Sequence, residues 1–427
     1  MSLIMPLWLV ILQRCSNLDH NFLMATSKSF ENFKNCILIL MVCSTQVEKL
    51  FHICFYLELI YLIISAYDYA VTKYLPSFGL RAPLLIAKKW FILLLIILLI
   101  TAIYPCAYSS FDTFFKWARN IILFYFVIKD TMYKPYVLRL IVGAYCLTSV
   151  ICGLLIINGI GLDLSDDAED FGEVRLSFLG MNSNKVALTF TYSFMIAIYG
   201  VDECLKFFQN YKKSFFIGFF LVIMILFLYC LSLLASRGSV MMVFLGIVYY
   251  FGIYKRNSSI GMKLIFYCMG AALIVFAYNY LMSSDIMAER VSASVDEGNY
   301  GARDKLMYNA IEMFLESPVY GVGMNEVCYR NHLYFGNYLT THNYFTFMLS
   351  SGGLIGAIGF VEIIYRIAKN TIWHSYKRQF LLGALLFIVA FVDFMKNGAC
   401  VVYVGNYIFF AIAYSYTKNR LKSCNLK

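Results

Sequence analysis

Charge is what this sequence has least of. Asp, Glu, Lys and Arg together make up 14% of its 427 residues, against about 25% in soluble domains. Such a shortage excludes an ordinary water-soluble globule. With 61% hydrophobic residues and a mean hydropathy of +0.70, the chain reads as an integral membrane protein. The net charge of +10 does not imply a nucleic-acid partner: the 35 Lys and Arg are scattered in short groups between apolar runs and form no clustered basic face. Cysteine pairing is also missing, because the 13 Cys include neither C-x-x-C nor Cys/His zinc spacing. Most, such as Cys54, Cys146 and Cys230, lie inside apolar runs, where Cys behaves as a small hydrophobe. No disulfide framework, metal site or cofactor is therefore expected. A cleavable secretory signal is lacking as well. Residues 3–12 are apolar but too short to span a bilayer, no small-residue cleavage site follows, and Gln13 and Arg14 interrupt the run. The segment reads as interfacial, or as an imperfect start. Internal repeats and matching Gly/Pro-broken helices, the marks of many transporters, are not found either.

What is present is a succession of apolar runs of spanning length. They predict an all-α, polytopic membrane helix bundle of about twelve spans, over residues 33–48, 51–70, 90–108, 111–128, 135–158, 183–201, 214–234, 238–254, 262–282, 342–365, 379–396 and 399–416. Gln46, Glu48 and Lys49 leave only a tight hairpin between the first two. Twenty-four of the 35 Lys and Arg fall in one alternate set of loops, which places that set, and both termini, in the cytoplasm. The expected organisation is a cytoplasmic segment 1–32, nine spans over 33–282, a large exterior loop 283–341, three spans over 342–416 and a cytoplasmic tail 417–427. The exterior segments 159–182 and 283–341 are acidic, as the positive-inside bias alone would make them.

The large loop has more structure than its acidity requires. Leu306, Met307, Ala310, Ile311, Phe314 and Leu315 recur at helical spacing, predicting an amphipathic helix along the outer mouth. Asp304 suits its first turn and Ser317-Pro318 ends it. Gly321 and Gly323 then read as a side-chain-free turn. Arg303 starts this helix. The apolar run 214–254 is broken only by Ser236-Arg237-Gly238-Ser239, too long for one span, so it predicts a hairpin with Arg237 at its outer tip. An arginine there is either a snorkelling helix end or an anion site. Lys116 and Arg119 lie one turn apart on one face and need an anionic partner. Asp393 and Lys396, similarly spaced, can satisfy one another. Gly352, Gly356 and Gly359 read as a close-packing face, and His332 as solvated.

In order, R-L-x-F-x-G-x-N-x-N (Arg175 to Asn184), S-R-G-S (Ser236 to Ser239), R-x-x-x-x-Y-x-A (Arg303 to Ala310), P-x-x-G-x-G (Pro318 to Gly323) and H-N before a Gly-rich helix (His342 to Gly359) resemble the bacterial O-antigen ligase and O-antigen polymerase superfamily. The resemblance covers roughly residues 170–365. It departs at Tyr308, where relatives often carry Trp. It implies a metal-independent glycosyltransferase on the outer face of the bacterial cytoplasmic membrane, taking an undecaprenyl-pyrophosphate-linked glycan as donor and a second glycan as acceptor. Membrane lipid surrounds it, and a polysaccharide chain-length regulator is a further partner. The lack of an exterior D-x-D motif or Gly-rich phosphate loop agrees with a donor that is not a nucleotide sugar. By the same resemblance Arg237 and Arg303 match pyrophosphate-binding arginines and His342 the base, with Arg175 a further candidate; Asn343 beside His342, and Lys116 and Arg119 by their shared cationic face, are the other expected substrate contacts. Arg suits phosphate through its planar fork, and His suits proton transfer through its near-neutral pKa. Polymerase of O-antigen or capsular repeat units, ligase onto lipid A core, and lipid-linked oligosaccharide flippase remain as alternatives.

Overall fold

The computed structural model describes residues 20–73, 84–103, 112–132, 134–166, 174–207, 210–234, 236–255, 303–336, 340–373, 380–396 and 403–425, and for Arg175, Arg237 and Arg303 the backbone only. In chain order the helices are α1 (His20–Ser44), α2 (Ile53–Lys73), α3 (Leu84–Ile103), α4 (Asp112–Thr131) and α5 (Pro135–Ile157). A hairpin of β1 (Leu162–Asp166) and β2 (Val174–Phe178) follows. Then come α6 (Ser183–Phe207), α7 (Asn210–Leu233), α8 (Arg237–Val248), α9 (Arg303–Glu316), α10 (Met324–Phe335), α11 (Tyr344–Ala368), α12 (Leu381–Lys396) and α13 (Val404–Asn425). α8 and α11 each end in a π-helical turn, Tyr249–Tyr254 and Lys369–Trp373.

The chain is a helical membrane bundle. Four helical stretches, Ile53–Ala70, Pro135–Ile157, Ser214–Leu233 and Tyr344–Trp373, are long and apolar enough to cross a bilayer. Every expected span overlaps an observed helix except 262–282, which lies outside the described residues. Several helices outrun the apolar stretch because polar side chains find partners at their ends. α13 continues past Tyr416 because Arg420 Nη2 reaches Glu203 at 3.2 Å and Asn419 Nδ2 donates to the Thr131 carbonyl at 3.1 Å. α1 continues back through Lys34, which is buried between Asp68 and Asp130, 2.7 Å from each. Lys34 is therefore not the loop cation that the charge pattern suggested.

Two elements of the loop segments go beyond the expected single amphipathic helix. The acidic segment after α5 forms an antiparallel hairpin, with Leu162 opposite Phe178 and Ser165 opposite Arg175. Alternation of Leu162, Leu164, Leu176 and Phe178 puts apolar residues on one face, and Phe178 is buried. The large loop holds a second helix, α10, which packs on α3, α4 and α11. α9 itself is half sunk: Leu306, Ala310 and Met313 are buried, while Met307, Ile311 and Leu315 face outward.

Between the helices the packing is aromatic and dense. Tyr344, the first residue of α11, is stacked between Phe360 and Phe394, with ring centroids 4.5 and 4.7 Å away. Its hydroxyl meets Trp117 Nε1 at 2.5 Å and the Tyr407 hydroxyl at 2.9 Å, so no polar atom of this buried group is wasted.

Candidate functional site

The S-R-G-S tip is the N-terminus of α8, with Arg237 as its first residue and Ser236 as its cap position. The Ser236 hydroxyl lies 3.1 Å from Asn184 Oδ1 and 3.0 Å from the Ser239 hydroxyl. Asn184 closes the R-L-x-F-x-G-x-N-x-N stretch, so two motifs 50 residues apart in sequence share a hydrogen bond. Any Cβ at Gly238 would collide with Cδ, Cε and Nζ of Lys396, the last residue of α12. The Lys396 side chain thus runs across the tip beside Arg237. Its supposed partner Asp393 accepts from Asn406 Nδ2 at 2.5 Å, and Asn406 in turn accepts from the Tyr192 hydroxyl at 2.8 Å. This chain of three buried groups ties the end of α12 to α13 and α6.

The same end of α12 meets the H-N turn. Asn343 caps α11, accepting from the amides of Phe345 and Thr346 at 2.9 and 3.2 Å, and its Nδ2 donates to the Met395 carbonyl at 3.0 Å. Both Oδ1 and Nδ2 of Asn343 are therefore engaged in fixing the start of α11 against the end of α12. His342 precedes it at φ 55°, a left-handed conformation rare for a non-glycine residue. The Thr341 hydroxyl, bonded to the Asn343 carbonyl at 2.7 Å and to the Thr346 hydroxyl at 3.0 Å, holds that turn closed. Strain of this kind persists only where surroundings over-determine it, and it collects at functional sites.

The P-x-x-G-x-G segment is not a free turn. α11 is broken at Gly353, with φ 59° and ψ −155°. The groups released there bond to residues 318–323: Val322 N to Ser350 O and Gly323 N to Ser351 O, both at 2.9 Å, and Leu354 N to Pro318 O at 2.8 Å. Irregular backbone inside an apolar bundle requires such replacement partners. A Cβ at Gly321 would strike the backbone of Ser351, Gly352 and Gly353. α9, which Arg303 opens, is thereby locked against α11, which His342 introduces. Across the same helix, Ile97 and Leu93 of α3 pack onto Gly352, Gly356 and Gly359.

Three further expected contacts lie on α4 and β2. Arg119 Nη1 is 3.2 Å from the buried carboxylate of Glu58 on α2, which supplies the anion that its position demanded. Lys116 is exposed one turn away. Arg175 lies in β2, opposite Ser165. His332 is half-buried on α10. One rim residue escaped sequence reading: Lys185, beside Asn184, sits 5.4 Å over the Tyr403 ring and 3.7 Å from Glu48 in the α1–α2 hairpin. Only the proximity of Lys185 to the motif asparagines hinted at it. Among the described residues, no group of three His, Cys, Asp or Glu side chains could hold a metal ion.

Fold and site together define a multi-pass helical membrane protein that gathers helix N-termini, cations and a strained histidine turn at one end. Residues 220–361 match the family model described as O-antigen ligase, which supports the superfamily resemblance carried by the motifs. That match spans about a third of the chain and holds four of the five motifs; the fifth, Arg175 to Asn184, lies before it. No curated protein matches the chain.

Proposed function

We propose that this protein is a membrane glycosyltransferase that polymerises undecaprenyl-pyrophosphate-linked repeat units on the outer face of the bacterial cytoplasmic membrane, with both termini inside and about twelve spans. Arg237 and Arg303 bind the donor pyrophosphate, each at the positive end of a helix, with Arg175 at the rim and Lys396 adding a further charge. An acceptor hydroxyl attacks the anomeric carbon. The new C–O bond forms as the C–O bond to pyrophosphate breaks, the bonding pair leaves with pyrophosphate, and the hydroxyl proton passes to His342. The cations stabilise charge that grows on the leaving group, which is where electrostatic stabilisation acts most strongly.

The observation that carries this reading is the meeting of S-R-G-S, Asn184, Lys396 and the His342–Asn343 turn at one end of the bundle. Turnover and donor affinity, measured on purified lipid-linked oligosaccharide at matched membrane levels, test it. His342→Ala is expected to lower turnover by about 10²- to 10⁴-fold with donor binding kept. Arg237→Lys and Arg303→Lys are expected to weaken both, because the ammonium loses the bidentate fork. Near wild-type turnover in His342→Ala overturns the base assignment.

The description of the matching family favours a second reading, ligation of the finished glycan to an acceptor such as lipid A core. Surface polysaccharide from a deletion strain separates the two. Single repeats on the acceptor mean a lost polymerase, and loss of all attached polymer means a lost ligase.

A further inference from the structure

We propose that the end of the bundle opposite the candidate site binds an anionic glycerophospholipid, with one acyl chain in a preformed cavity and the headgroup phosphate at Arg139 and Arg420. The cavity has a volume of about 680 Å³ and lies between α5, α6, α7 and α13. Gly143, Phe220, Ile223 and Tyr416 are among its walls, and Arg139 and Arg420 stand at its polar end. On α6, Asn184 belongs to the candidate site and Tyr199 to this cavity. Fifteen helical residues separate them, about 22 Å of rise. The donor pyrophosphate at the first site therefore cannot also occupy the second.

Three observations identify the occupant. The walls are almost wholly apolar, and an apolar void of this size takes hydrocarbon, since water finds no partners in it. The helix surface beside it is lipid-facing in character: Leu140, Leu147, Phe219 and Val222 are all exposed. The polar end is cationic. Arg139 is exposed and makes no ion pair among the described residues, while Arg420 is fixed between Glu203 and the Tyr416 ring. Lys212 is exposed two turns before Phe219 on α7. Basic pockets between membrane helices favour anionic headgroups. A hydrocarbon slot ending in two guanidinium groups matches one acyl chain and one phosphate of the same lipid.

Native mass spectrometry of the full chain, delipidated and reloaded from mixed phosphatidylglycerol and phosphatidylcholine micelles, tests this. The wild type is expected to retain one phosphatidylglycerol with about five- to tenfold preference over phosphatidylcholine, the worth of one or two basic groups. Arg139→Gln should remove most of that preference. At Gly143, which lines the cavity, a Cβ meets nothing within 4 Å, so Gly143→Phe puts a ring in the space of the acyl chain and should abolish retention at an unchanged elution volume. Equal retention of the two lipids, wild-type retention in Gly143→Phe, or capture of added undecaprenyl phosphate in place of phosphatidylglycerol overturns the proposal. Because the readout is bound lipid mass, the outcome stands whether or not the glycan-transfer reading survives.

Discussion

At the scale of single residues, His342 separates strain from chemistry. Its left-handed backbone costs a non-glycine residue roughly 1–2 kcal/mol, and glycine escapes that cost. His342→Gly is therefore expected to melt at or above the wild-type temperature while losing about as much turnover as His342→Ala. A fall in melting temperature with turnover retained would make the imidazole a packing element. Gly353 poses the opposite case. Its φ and ψ fall in a region open essentially to glycine alone, and a Cβ there would meet the Val319 carbonyl. Gly353→Ala should destabilise by more than about 2 kcal/mol, seen as a lower melting temperature in detergent. Unaltered melting would mean that the break in α11 relaxes freely.

Between elements, the clearest structural tie is Arg119 on α4 to Glu58 on α2. Glu58 is buried at 2% exposure and comes from a helix whose other face lies against lipid. Removing one partner of a buried pair costs about 3–5 kcal/mol, whereas replacing both with apolar groups can be neutral. Glu58→Ala should therefore destabilise, and Glu58→Met with Arg119→Met should recover most of the loss together with glycan transfer. A double variant that folds but transfers nothing would return Arg119 to the substrate. At the other end, Asp202 joins α6 to the turn after α8 through Lys255 at 2.7 Å, with Lys206 of its own helix at 2.6 Å. Burial pushes its carboxyl upward, but the two ammonium groups outweigh this and hold it below the usual carboxylate range. A depressed pKa stabilises the fold above the unfolded value, near 3.9, and that contribution is lost as pH falls through the folded one. Asp202→Asn should thus lower the melting temperature at pH 7, and the difference from wild type should shrink as pH falls below about 4.

For the whole molecule, orientation decides whether the site meets an exterior substrate. Tyr320 is 57% exposed beside the α9–α10 turn. Tyr320→Cys, in a background freed of native cysteines, should react with an impermeant maleimide in intact cells. Reaction only after lysis would place the site in the cytoplasm and end the proposed chemistry. Since the pyrophosphate is met by guanidinium and ammonium groups, transfer by the purified protein should also survive excess EDTA. A requirement for added Mg²⁺ would instead favour carboxylate-held metal.

The sequence by itself determined that this is a membrane bundle, because hydrocarbon-length apolar runs have few other stable fates. It also determined where α9 begins and ends, through Asp304, the apolar stripe and Ser317-Pro318, and which five motifs carry the family likeness. It could not determine what those motifs touch. Lys396, 158 residues after Gly238, lies over it, and the P-x-x-G-x-G turn mends a helix broken 30 residues on. Arg119 looked like a ligand for phosphate because its protein partner sits 61 residues away on another helix. Periodicity and composition report only on neighbours along the chain, whereas a charge or a missing Cβ is explained by whatever the fold brings against it.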